Sequence, residues 1–105
     1  MVNIVLVCSA GMSTSMLVKK MEAAAQEESF ECTIKAIAST EAIEYAKEGN
    51  TDVILLGPQV KFMESKFKSE LSEYQIPIEM IKIQDYGTMN GKNVLEQAKK
   101  ILGVG

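Results

Sequence analysis

The sequence predicts a single α/β domain: a four-stranded parallel sheet in the order 2-1-3-4, doubly wound, with helices on both faces. Three observations carry this. Stretches with strand character alternate along the chain with stretches of helical spacing, which is the pattern of consecutive strand–helix–strand units. Two of the strands, residues 3–8 and 52–56, are apolar almost throughout, as strands covered on both faces are. The other two carry Glu31, Lys35, Glu79 and Lys82, charges that suit the edges of a sheet. Right-handed crossovers then select the order.

Taken in turn, "NIVLVC" is the first strand and ends on Cys8. Met16, Leu17, Met21 and Ala24 recur at helical spacing, with lysines and glutamates on the opposite face. Residues 30–37 alternate, Phe30, Cys32, Ile34 and Ala36 against Glu31, Thr33 and Lys35, and give the second strand. Ser39 or Thr40 is placed to cap a short helix that runs to about Lys47 and stops at Gly49 and Asn50. "DVILL" is the third strand, ending at Gly57, Pro58 and Gln59. Val60, Met63, Phe67, Leu71 and Tyr74 space as the inner stripe of one helix. Residues 78–83 read as the fourth strand, and Val94, Leu95, Ala98, Ile101 and Leu102 line the last helix. No linker, repeat or low-complexity tract interrupts the series, so residues 1–105 form one domain.

Composition narrows the chemistry. At 47% hydrophobic and 24% charged residues, the chain is ordinary for a globular protein and unlike a disordered one. Its apolar runs are too short to span a bilayer, and "MVNIVLV" lacks the basic opening of a signal peptide, so a cytoplasmic protein is expected. A net charge of −3 without any basic block argues against a nucleic-acid partner. There is no histidine, arginine or tryptophan, and all eleven basic residues are lysines. Histidine acid–base catalysis, histidine metal sites and arginine clamps are therefore excluded within this chain. Cysteine, hydroxyls, lysine, tyrosine, carboxylates and the backbone remain.

The two cysteines are not expected to pair. Cys8 closes one strand and Cys32 lies near the start of the next. In a parallel pair that separates the sulfurs by roughly 10–15 Å along the strands at ~3.3 Å per residue, beyond disulfide reach. Cys32 reads as a buried core thiol.

In a doubly wound sheet ligands bind beyond the carboxyl ends of the strands, where the winding reverses. Here that lies between strands 1 and 3, so the loop after Cys8 is expected to face the turn Gly57, Pro58 and Gln59. Ser9, Ala10, Gly11 and Met12 make a loop small enough for backbone amides to converge, and Ser13, Thr14 and Ser15 stand at the helix entry. Converging N–H groups, a helix N-terminus and hydroxyls together make an anion site. The same positive end favours the thiolate, the nucleophilic form of a cysteine. Either feature alone is commonplace, a small core residue or a helix cap. Combined at the switch point, they describe a nucleophile inside a phosphate cradle. A Walker loop is excluded because no glycine–lysine pair opens the helix. A metal site is disfavoured by the lack of any carboxylate in the loop.

Three catalytic classes use a cysteine in this way. A low-molecular-weight tyrosine phosphatase needs arginine six positions after the cysteine, where this chain has Thr14. An arsenate-reductase-like enzyme needs a partner thiol, and Cys32 is badly placed. A phosphocarrier must hold a phosphoryl group and keep water from taking it, and the absence of arginine and histidine suits that task.

"CSAGMSTSMLVKKM" and "VILLGPQV" resemble the B subunit of enzyme II of the bacterial sugar phosphotransferase system, lactose/cellobiose type, and the resemblance extends over the whole chain. It implies a fold resembling low-molecular-weight tyrosine phosphatase, with Cys8 as phosphocysteine and Ser9, Ala10, Gly11, Met12, Ser13, Thr14 and Ser15 as the phosphate loop. Gly57, Pro58 and Gln59 match the family's neighbouring turn. The resemblance implies a phosphohistidine of the IIA subunit as donor and a sugar bound by the membrane IIC subunit as acceptor, with no metal or organic cofactor. Cellobiose, chitobiose and lactose-type β-glucosides all fit, since the sugar is held elsewhere. A phosphatase-like enzyme and a regulatory domain of the same fold are the alternatives. A monomer is expected for the chain alone, with Met12, Met16, Gly57, Pro58, Gln59 and Tyr86 around the cysteine as a docking patch. Asp85, just past strand 4, is read as a turn cap rather than a general acid.

Overall fold

A computed structural model describes residues 1–9 and 12–104, the side chains of Met12 and Ser13 excepted. Its sheet has the order 2-1-3-4, all parallel, with β1 spanning Val2–Cys8, β2 Cys32–Ala38, β3 Val53–Leu56 and β4 Ile78–Met80. Helix α1, Met12–Glu27, joins β1 to β2, and α2, Ser39–Lys47, joins β2 to β3. After β3 comes a 3₁₀ segment, Pro58–Met63, then α3, Glu64–Glu70. Beyond β4 lie α4, Ile83–Gly87, and α5, Gly91–Leu102.

Because side chains alternate along a strand, the central strands feed two separate cores. Ile4, Leu6, Val53 and Leu55 face α1 and α5, packing on Leu17, Met21, Val94 and Leu95. Val5, Val7, Ile54 and Leu56 face the other way, onto Ala42 and Ala46 of α2 and onto Val60, Phe67 and Leu71. The apolar runs of β1 and β3 are thus consumed on both faces.

The boundaries differ from the sequence reading in instructive places. The single helix expected over 60–74 is three pieces: the 3₁₀ segment, α3 and a 3₁₀ turn at Ser72–Tyr74. Pro58 opens the first piece, Val60 leaves helical geometry at φ −118° and ψ 20°, and Gln75 at φ 55° closes the last. Val60, Phe67 and Leu71 keep their inward stripe, but Tyr74 is exposed. The fourth strand stops at Met80 because β3 is only four residues long; the ladder ends with Ile81 N–H donating to the Leu56 carbonyl. Ile83 therefore leaves the sheet and starts α4, exposed. Ala38 holds the N-cap position of α2 and no side chain caps it, so neither Ser39 nor Thr40 plays that part. The expected stop at Gly49 holds, its φ of 95° being open chiefly to glycine.

Both cysteines are free. Register sets Cys32 opposite Val2 and Ala38 opposite Cys8, six residues apart along the strand, which is about 20 Å at 3.3 Å per residue. The separation exceeds the one expected, because Cys32 is the first residue of β2 rather than an interior one. It is partly exposed for the same reason.

Candidate functional site

Cys8 is the last residue of β1 and is buried, 2% exposed. Beside it the Gly57 N–H donates to the carbonyl of Val7 at 2.9 Å, so the chain leaves β3 alongside the end of β1. The end of β1 and the turn after β3 thus lie side by side. Ser9 is exposed; Ala10 and Gly11, expected in the phosphate loop, lie outside the described residues. Met12, expected in the loop, is the first residue of α1, which places Ser13, Thr14 and Ser15 in its first turn. The side chains of Met12 and Ser13 lie outside the description. Helix α1 is 16 residues long and opens with no acidic residue in its first turn, so nothing there opposes an anion at its positive end.

Three elements that follow different strands meet at one hydroxyl. Gln59 Nε2 donates to the Tyr86 hydroxyl at 2.9 Å, and Thr14 Oγ1 lies 3.4 Å from the same oxygen. Thr14 is 1% exposed. Gly57 lies under this junction, because a Cβ there would stand 2.9 Å from Gln59 Oε1 and 3.7 Å from Tyr86 Cε1. The sequence supplied each residue but not the junction; Tyr86, expected at an outer rim, is half-buried with its ring against the core shared by α1 and α5. Nothing in residue spacing signals a contact that depends on how α4 folds back.

Asp85, expected to cap a turn, bonds a side chain of the next helix instead. Its Oδ1 accepts from Asn93 Nδ2 at 3.0 Å, which ties α4 to the first turn of α5. Met16 is 59% exposed, so of its two readings the core role falls away. Phe62 and Ile83, which sequence reasoning did not single out, are also exposed, at 78% and 62%. All three follow the carboxyl ends of strands, β1, β3 and β4 respectively. Their apolar character was plain in the sequence, but Phe62 falls in the 3₁₀ segment that replaces the start of the expected helix and Ile83 lies past the early end of β4.

Larger grooves lie elsewhere. One of about 460 Å³ runs between the end of β4 and α5, lined by Glu79, Lys82, Asp85 and Lys100 among others. Another of about 480 Å³ flanks β2 beside Glu41, Glu44 and Tyr45. Neither borders Cys8, and a phosphoryl group held by backbone amides needs no cavity of that size. Among the described residues no three of Cys, Asp and Glu form a group able to hold a metal, and no helix is long and apolar enough to cross a membrane.

Comparison with known proteins agrees over nearly the full length. The family described as "PTS system, Lactose/Cellobiose specific IIB subunit" matches residues 3–97. The oligo-beta-mannoside-specific EIIB component of Bacillus subtilis is 39% identical, covering 97% of both chains. The galactose-specific EIIB component of Lactococcus lactis subsp. cremoris is 43% identical over 94% of each. Among solved structures, the cellobiose-specific IIB component of Borrelia burgdorferi is 44% identical with a TM-score of 0.79, over 97% of this chain and 92% of that one. The lactose-specific IIB domain of Streptococcus pneumoniae, at 15% identity and a TM-score of 0.83 over 94% and 95% of the two chains, shares the fold.

Proposed function

Because the chain belongs to the lactose/cellobiose IIB family of the sugar phosphotransferase system, and is thus a phosphotransferase component that works with IIA and IIC partners, we propose that Cys8 is its phosphoryl carrier. The supporting observation is position: Cys8 ends the central strand β1 at the switch point, beside the Gly57 turn and before the N-terminus of α1. In the reaction read from this, the Cys8 thiolate attacks phosphorus on a IIA phosphohistidine. The P–N bond breaks as the S–P bond forms. A sugar hydroxyl held by IIC then attacks the phosphorus, an O–P bond forming as the S–P bond breaks; the hydroxyl proton passes to a base on the acceptor side and the thiolate returns. Each step passes through a loose transition state whose charge needs positioned donors more than covalent help. The backbone amides of residues 9–15 and the hydroxyls of the first turn of α1 are the proposed donors.

No arginine exists to stabilise hydrolysis as in a phosphatase, so the phosphocysteine is built to wait for its acceptor. Two partners must dock in turn on one face. Met16, Phe62 and Ile83, with the Pro58–Gln59 turn, offer exposed apolar surface around the carboxyl ends of three strands, and unbranched methionine suits a surface that meets more than one partner. Met12 belongs to the same proposal. The relatives' names divide among oligo-β-mannosides, galactose and cellobiose, as expected where the sugar is bound by another subunit, and the proposed cargo is a sugar of the cellobiose, chitobiose or lactose type. The protein is proposed to act in the cytoplasm.

The test is mass spectrometry after incubation with phosphorylated IIA. One phosphate is expected on the peptide containing Cys8, absent in Cys8→Ser and retained in Cys32→Ser. Label on Cys32, or label that survives Cys8→Ser, refutes the assignment.

A further inference from the structure

We propose that Tyr86 is a positioning residue of the phosphoryl site, its hydroxyl clasping the first turn of α1 to the turn after β3; the inference rests on the carrier reading of Cys8. The geometry is that of a clasp. One oxygen accepts from Gln59 Nε2 at 2.9 Å and stands 3.4 Å from Thr14 Oγ1, so groups from the segments after β1, β3 and β4 converge on it. Each of its neighbours is fixed in turn. Thr14 is buried in the first turn of α1. Gln59 rises from the 3₁₀ segment whose Val60 N–H donates to the Gly57 carbonyl at 3.0 Å. Tyr86 is seated by its ring in the α1–α5 core and by its own N–H, which donates to the Lys82 carbonyl at 3.0 Å.

The chemistry explains why a clasp matters here. A site with arginine or a metal tolerates some looseness, because a full charge attracts phosphate over distance. This chain has no arginine or histidine, and neutral amides and hydroxyls stabilise a developing charge only where they are held in place beforehand. Misplacing such donors by a fraction of an ångström is felt in the transition state more than in docking, since docking uses the exposed rim. Tyr86 is therefore expected to act on the maximal rate of phosphorylation and leave the donor's apparent affinity alone.

The experiment measures the rate of Cys8 phosphorylation by phosphorylated IIA, over a range of IIA concentrations, for the full chain and three variants. Tyr86→Phe keeps the ring and removes the hydroxyl. Gln59→Leu removes the same bond from an exposed position, so it reports even if Tyr86→Phe folds poorly. The third is the double variant. Each single change is expected to lower the maximal rate roughly tenfold, the order of one well-placed hydrogen bond, and in Tyr86→Phe, which leaves the exposed rim untouched, the half-saturating IIA concentration is expected to stay within about twofold. The double variant is expected to be no slower than the slower single one, because the bond that Gln59→Leu removes is already lost in Tyr86→Phe. Melting temperature should fall by no more than about 8 °C, the shift of one lost hydrogen bond in a chain of this size. A Tyr86→Phe variant that folds and transfers at the wild-type rate overturns the inference. So do losses that multiply in the double variant, or an effect confined to the half-saturating concentration, which would make Tyr86 a docking residue only. An unmodified chain that takes no phosphate overturns the carrier reading and this inference with it, a failure told apart by its appearance before any substitution.

Discussion

A methyl group added at residue 57 would sit 2.9 Å from Gln59 Oε1 and 3.2 Å from the Val7 carbonyl. The backbone φ of −66° accepts any residue there, so glycine is required by space and not by conformation. Gly57→Ala should push the Gln59 side chain off Tyr86 and cost on the order of 1 kcal/mol, one hydrogen bond's worth, in urea unfolding, with slower labelling of Cys8; unchanged stability and rate would show that the turn has slack. Cys32 is the opposite kind of residue. Burial, and after it the charge of Glu22, push its thiol up. In a Cys8→Ser background, alkylation of Cys32 should therefore rise with pH through a midpoint above that of an ordinary thiol, and a midpoint at or below the ordinary value would contradict the placement. The sign for stability follows: the contribution is whole below the unfolded thiol's pKa and is lost as pH rises through the folded one. Cys8 stood out in the sequence because strand, sulfur and small loop are consecutive. The Thr14–Gln59–Tyr86 junction did not, since its members are 72 and 27 residues apart and meet only after folding.

Between elements, α5 comes close against α1 at Gly91. A Cβ on Gly91 would stand 2.4 Å from the Lys20 carbonyl carbon and 2.6 Å from the Met21 nitrogen. Both are backbone atoms, so the helices themselves must part. Gly91→Ala should cost about 3 kcal/mol, the upper range for overpacking, seen as a lower urea midpoint; an effect below about 0.5 kcal/mol, the level of a neutral surface change, would mean the helices part freely. One side chain covers the carboxyl end of the outer edge of β4. Gln97 Nε2 donates to the Met80 carbonyl at 2.9 Å while its Oε1 accepts from the Lys82 N–H at 3.4 Å. That is the pair of bonds that a neighbouring parallel strand would make with this edge. Gln97→Leu leaves two edge groups open and should raise self-association in sedimentation at high concentration; a variant that stays monomeric would show the edge protected otherwise. Strands β1 and β3 and helices α1 and α5 were legible because long apolar patterns override local detail. The stretch 58–74 was not, because Val60, Phe67 and Leu71 bury the same stripe whether or not the backbone between them is a continuous helix.

Across the whole molecule, the winding explains why chemistry gathers at one end. Crossovers leaving β1 and β3 in opposite directions open a crevice at their carboxyl ends, and Cys8, Gly57 and Tyr86 are delivered there from three separate stretches of chain. The far end is closed by Lys99, buried with Nζ 2.6 Å from Glu28 Oε1, 3.5 Å from Glu96 Oε1 and 5.0 Å from the centre of the Phe30 ring. The hydrogen bond that it donates to Glu28 raises its pKa. Its stabilising part is therefore present below the ordinary lysine range and lost as pH climbs through the raised value. Lys99→Met should flatten the alkaline fall of the melting temperature relative to the unmodified chain, and identical alkaline limbs would refute this. The central claim, that Cys8 carries a phosphoryl group meant for a sugar and not for water, is tested most directly by a chase. Radiolabelled phosphoprotein, freed of IIA, is mixed with IIC membranes and cellobiose, and the label is followed. Label leaving Cys8 is expected to appear as sugar phosphate, and the phosphoprotein is expected to persist when IIC or sugar is withheld. Release as inorganic phosphate at the same rate with or without acceptor would contradict it.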